Sequence, residues 1–360
     1  MTTLTLKLNT VTIPSLYFSI PLILVTLYSF LPIVTHGYSY PPGNDIAWYQ
    51  QIIDHPFSGS KYYGMLPGAL IGITAYYYLT PVAVFIGLHL VLSNYHPLAS
   101  SLTWILIFLM SSVILQDMEA GTFVGIVGFY GVSIPVLYFT LKSKDFRISI
   151  AYIPIAILFH TVAGIIISIG YIATSIITQQ AKRLLFVAPF LTAVAVYMAL
   201  EHSSSTIQIA RLIPFIDSPS TTKSMISDVG HYTDPMPLML FMKNYLGVSL
   251  FCLIGFTGLL VYNAMRRGYK PEIDTFILSL VFLSLFLPLF IFTDLQLNSD
   301  RIAKFYVGIL SILCAISLLS VLSYLKSKYF NILMSGLIVL LLVVPAPALL
   351  KYWTTLGKYV

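Results

Sequence analysis

Residues 15–34 read SLYFSIPLILVTLYSFLPIV, a run without one charged side chain, and comparable runs recur to the end of the chain. About 17 or more apolar residues are needed to carry a helix across about 30 Å of hydrocarbon. A buried core helix of a soluble domain has no need of that length so many times over. The segments are apolar all round, which excludes membrane strands, where lipid-facing and lumen-facing residues alternate. With 58% apolar and only 9% charged residues among 360, the chain also lacks the polar surface of a soluble protein of this size. The expectation is an all-α, polytopic membrane helical bundle forming a single domain over 1–360.

No basic stretch and small-residue cleavage site frame the first run, so it reads as a retained helix. Cys252 and Cys314 both lie in apolar runs and read as packing residues. The net charge of +6 is spread over short loops. That pattern argues against a nucleic-acid surface and for membrane topology. Lys142, Lys144 and Arg147, then Lys182 and Arg183, then Arg266, Arg267 and Lys270, then Lys326 and Lys328 are assigned to the cytoplasmic side.

Alternation then places helices near 13–35, 82–94, 101–116, 121–141, 184–200, 238–265, 273–293, 302–324 and 330–350. Residues 66–80, LPGALIGITAYYYLT, read as a half-buried or re-entrant piece ended by Pro81. After the Lys142 loop, ISIAYIPIAILF and AGIIISIGYIATSIITQQ are hinged at His160. The total is about eleven crossings. No internal repeat is evident, which disfavours an inverted-repeat transporter.

On this topology Asp145, Glu272 and Asp274 face the cytoplasm. Asp45, Asp54, Asp117, Glu119, Glu201, Asp217, Asp228, Asp234, Asp294 and Asp300 face outward. The orientation rule concerns Lys and Arg, so this acidic skew is an independent feature. The outer loops are about 36–65, 117–121, 201–237 and 294–303.

In GNDIAWYQ, residues 43–50, Asp45, Trp48, Tyr49 and Ile52 share a helical face suited to the headgroup level, which predicts an interfacial helix. Asp45 serves there either as a simple helix cap or as a reactive carboxylate. In QDMEAG, Asp117 and Glu119 are either a solvated helix end or a pair of oxygen donors for a hard divalent ion such as Mg2+ or Mn2+. Arg301 and Lys304 stand one turn apart where an outer loop enters a helix. They are placed to meet an anion or to snorkel to headgroups. His160 interrupts an apolar run, where a polar residue is either structural or functional. His202 and His231 lie in the long outer loop near Glu201, Asp228 and Asp234, and Arg211 is a further candidate anion contact.

An outer-loop aspartate soon after the first helix, a D-x-E about seventy residues later and an arginine opening a late helix form a recognisable order. This layout resembles the GT-C glycosyltransferases, the superfamily of the oligosaccharyltransferase catalytic subunits, protein O-mannosyltransferases and aminoarabinose transferases. The resemblance runs over about 36–325 and is one of order and sidedness. YYGMLPGALIGI is similar to the tyrosine-and-proline stretch after the first acidic loop of such enzymes, and AILFHTVAG to a histidine segment of archaeal members.

The resemblance implies Asp45 as general base or acceptor-orienting group. It implies Asp117 and Glu119 as the second acidic motif, metal-binding in some branches. It also implies Arg301 and Lys304, with Arg211, as contacts to the phosphate of a polyprenyl-phosphate sugar donor. The chain closes at Val360 after KYWTTLGKYV, so the expectation is of no soluble C-terminal domain and no sequon glycosylation.

The functional expectation is a glycosyltransferase transferring a sugar from a polyprenyl (dolichyl) phosphate to a glycan, lipid or protein acceptor. Its active site would lie on the extracytoplasmic face of an archaeal-type plasma membrane. The rivals are a lipid or polysaccharide transporter and a non-catalytic membrane assembly subunit.

Overall fold

The computed structural model describes residues 66–107, 123–143, 145, 147–185, 187, 274–292 and 299–322, with scattered positions at 23, 238, 328–329, 331–333, 335–336 and 339. The side chains of 150, 161, 181, 299–301 and 320–322 are not among those described. The described residues form helices and turns, with no strand among them. In chain order we label α1 Leu66–Ile71, α2 Ile73–Leu92, α3 Ala99–Ile105, α4 Phe123–Lys142, α5 Ile148–Phe159, α6 Thr161–Ile177, α7 Thr275–Phe292 and α8 Ser299–Leu322.

Four stretches, Ile73–Leu92, Phe123–Lys142, Thr275–Phe292 and Ile302–Leu319, are long and apolar enough to cross a membrane. The chain is a membrane protein. At a rise of about 1.5 Å per residue these helices reach roughly 27–30 Å. Leu79, Ile86 and Leu90 on α2 and Leu285 and Leu289 on α7 are exposed. In water such a face would be costly; against acyl chains it loses nothing. The rest of the expected eleven-helix layout, including the interfacial helix around Asp45, lies outside the described residues.

The described helices order themselves by level. Tyr76 meets Phe123 edge-on at 5.2 Å, Gly87 abuts Gly131, and Tyr95 meets Tyr138 at 6.3 Å, so α2 and α4 run parallel. Their C-terminal ends share one end of the bundle with the start of α7, where Phe276 packs on Tyr95 and Tyr138. The Lys142 end is the one that the charge rule assigns to the cytoplasm.

Pro81 does not end a segment. The chain breaks instead at Gly72, whose φ of 84° is the left-handed conformation glycine tolerates, and α2 then runs unbroken through Pro81 to Leu92. A proline inside a helix removes one backbone donor and loosens the turn before it. Two side-chain bonds brace the turns around it: Thr80 donates to the Tyr76 carbonyl at 3.1 Å, and the Trp104 indole N–H donates to the Pro81 carbonyl at 3.0 Å.

The hinge at His160 is a sharp reversal. Gly164 abuts the backbone of Ile157, and Arg183, beyond the end of α6, bonds the carbonyls of Thr140 and Leu141 at the Lys142 end. So α5 and α6 form a hairpin that rises from the Lys142 end and returns to it. The twelve residues of α5 cover only about 18 Å. The apex therefore lies inside the bundle, at the level of Gly125 and Gly128 of α4.

Candidate functional site

Two side-chain clusters stand out, one inside the bundle and one at its Lys142 end. The first surrounds the opening turns of α8. Residues 127–133 of α4 are wound as a π-helix, a rare conformation that recurs at functional positions. It turns both Phe129 and Tyr130 towards α8. Phe129 stacks on Phe305 with ring centres 4.4 Å apart, and the Tyr130 hydroxyl donates to the Lys304 carbonyl at 2.9 Å. Gly308 permits this approach, since a Cβ there would overlap the Tyr130 ring and hydroxyl.

His160, 3% exposed, stands edge-on to Phe305 at 5.9 Å. Its backbone is extended, with φ −153° and ψ 104°, and its Nδ1 accepts the Ala163 N–H at 3.2 Å. Its own N–H closes α5 on Ala156 and its carbonyl opens α6 from Gly164. The imidazole thus caps a buried helix N-terminus, and with Nδ1 accepting, the neutral ring carries its proton on Nε2. Of the two sequence readings of His160, the structure supplies a structural one.

The second cluster gathers at the Lys142 end. Asp274 caps α7, its Oδ1 accepting from the backbone N–H groups of Phe276 at 2.9 Å and Ile277 at 3.2 Å. The same carboxylate accepts from the Tyr95 hydroxyl at 3.0 Å and from Lys142 Nζ at 2.6 Å. One acid therefore ties α7 to the end of α4 and to the 93–98 turn. Burial, and then the charge and hydrogen bond of Asp274, push the Tyr95 phenol far above its ordinary range, so it remains a donor at any accessible pH. Arg183 also accounts for carbonyls that α4 leaves unpaired at its end, donating to Thr140 at 3.3 Å and Leu141 at 3.1 Å.

This cluster makes two predictions. Asp274→Ala should destabilise the bundle by about 2 kcal/mol, combining a lost N-cap with a half-exposed ion pair, whereas Asp274→Asn, which still caps, should cost less than about 1 kcal/mol. Unfolding in detergent with increasing denaturant measures both, and equal losses would refute the capping role.

His96 offers a pH test. Burial lowers its pKa from the usual 6.5, and its Nδ1 accepts the Leu98 N–H at 3.1 Å. The unfolded chain then binds more protons between the two pKa values, so stability falls as pH drops below about 6.5 and levels off beneath the folded value. His96→Gln should flatten that dependence in parallel pH-resolved melts, and an unchanged slope would count against it.

Of the residues singled out from sequence, His160 and Lys304 fall in the first cluster, and position 301 lies one turn before Phe305 on α8. Asp45, Asp117, Glu119, His202, Arg211 and His231 lie outside the described residues. Among the described residues no three His, Cys, Asp or Glu side chains gather to hold a metal ion. Sequence reasoning passed over Tyr130, Phe305 and Tyr95. The only sequence signal for Tyr130 is an aromatic pair flanked by glycines in VGFYGV. No family model, curated protein or solved structure matches this chain.

Proposed function

We propose that the chain is an integral membrane glycosyltransferase of GT-C type that takes a sugar from a polyprenyl phosphate on the extracytoplasmic face. The observation that carries this reading is the position of Lys304. Its carbonyl meets Tyr130, twelve residues up α4 from Lys142 and about 18 Å from that basic end at helical rise. A cation in the half of a membrane protein away from its basic loops runs against the usual bias. The phosphate of a lipid-linked sugar, held near the surface by its own tail, is the anion that this reading brings to Lys304.

In the proposed reaction an acceptor hydroxyl attacks the anomeric carbon and the bond from that carbon to the phosphate oxygen breaks. The polyprenyl phosphate leaves with the bonding electrons. Asp45 takes the hydroxyl proton, and Arg301 and Lys304, with Arg211, stabilise the phosphate as its charge grows. Asp117 and Glu119 are the oxygen donors available to a divalent ion. The outward excess of carboxylates supports the same reading.

The test is incubation of purified protein with labelled polyprenyl-phosphate sugars and membrane extract, with and without EDTA. Labelled product is expected. No transfer from any donor would favour the non-catalytic assembly subunit.

A further inference from the structure

We propose that Tyr130 is a positioning residue that sets the height and rotation of α8, and through it the placement of Lys304 for an anionic lipid headgroup. This rests on the donor-phosphate role proposed for Lys304 and goes beyond it, because it concerns how that cation is held. Four contacts converge on two turns of α8. The Tyr130 hydroxyl bonds the Lys304 carbonyl, its ring lies on Gly308, and Phe305 between them is stacked on Phe129 and met edge-on by His160. The hairpin apex is in turn seated against α4, where Gly128 leaves no room for a Cβ beside His160.

A helix that meets its neighbours through apolar side chains alone can slide or roll at little cost in lipid, since lipid competes for the same contacts. A hydroxyl fixed to one carbonyl, with a ring fitted to one glycine, removes that freedom. The π-helical turn that presents Phe129 and Tyr130 together is a local cost that makes sense if register matters here.

The experiment titrates purified protein in nanodiscs with undecaprenyl phosphate and, separately, with undecaprenol. The ratio of the two affinities isolates the phosphate contribution. Lys304→Ala should reduce that ratio about tenfold and Tyr130→Phe about fivefold, on the scale of one charged and one neutral hydrogen bond, with undecaprenol affinity unchanged. An unchanged ratio in Tyr130→Phe, or a parallel loss of both affinities, would overturn the positioning role in favour of a merely structural one.

A second readout does not depend on the ligand. With Cys252 and Cys314 replaced by serine, nitroxides at Lys304→Cys and Leu158→Cys report the distance from α8 to the hairpin. Gly308→Ala, which forces the Tyr130 ring away, should shift or broaden that distance. An unaltered distribution would overturn the clamp. If wild type itself binds undecaprenyl phosphate no better than undecaprenol, the donor-phosphate reading fails, while the distance measurement still decides whether Tyr130 holds α8.

Discussion

Gly87→Ala should destabilise the bundle by about 3 kcal/mol, near the upper end of the cost of overpacking a core. An alanine Cβ at 87 would lie 2.6 Å from both the Cα and the carbonyl oxygen of Gly131. Those are backbone atoms and cannot rotate aside, so α2 and α4 must separate and loosen the packing along the Tyr76–Phe123 and Tyr95–Tyr138 contacts. The crossing is asymmetric. At Gly131 a Cβ would meet Val127 Cγ1 at 3.4 Å and the Ala83 carbonyl oxygen at 3.5 Å, ordinary contacts. Gly131→Ala should therefore be close to neutral, since alanine gains up to about 1 kcal/mol in helix propensity. Unfolding of both variants in micelles by titration with a denaturing detergent compares them directly. Equal losses would mean that the helices do not cross as closely as described.

Asp45→Asn should lower glycosyl transfer about 10²–10⁴-fold under the proposed function while leaving the unfolding temperature where it was. The substitution is chosen because asparagine caps a helix as well as aspartate does. It removes the proton acceptor and keeps the cap, so it separates the two roles open to this residue. A folded variant with undiminished transfer would leave Asp45 as a capping residue and move the search for a base to the other outward carboxylates. Transfer and melting temperature measured on the same preparation decide the matter.

The local and the non-local parts of this molecule differ in how far they can be read in advance. Membrane-crossing helices are legible because apolarity over about twenty residues is a property of the segment itself. The break at His160 is legible too, as a polar residue in an apolar run. Its role is not, because capping depends on an extended backbone and on the N–H of Ala163, which only the folded turn presents. Pro81 misleads for the same kind of reason. The Trp104 indole that braces its turn is 23 residues away.

Asp274 reads as one acid in a loop, while its partners Lys142 and Tyr95 are 132 and 179 residues distant. The seating of Tyr130 on Gly308 and Lys304 likewise requires two helices to cross at one height.

From the sequence alone, then, came the class of protein, the recurrence of segments long and apolar enough to cross a membrane, the hinge at His160 and the charged residues worth testing, since each depends on chemistry carried within a short stretch. Tertiary structure decided which of those residues meet, that α5 and α6 turn back on themselves, and that α8 is held by a phenol and a glycine. Such contacts arise from chain crossings, and no local pattern of residues specifies where a chain will cross itself.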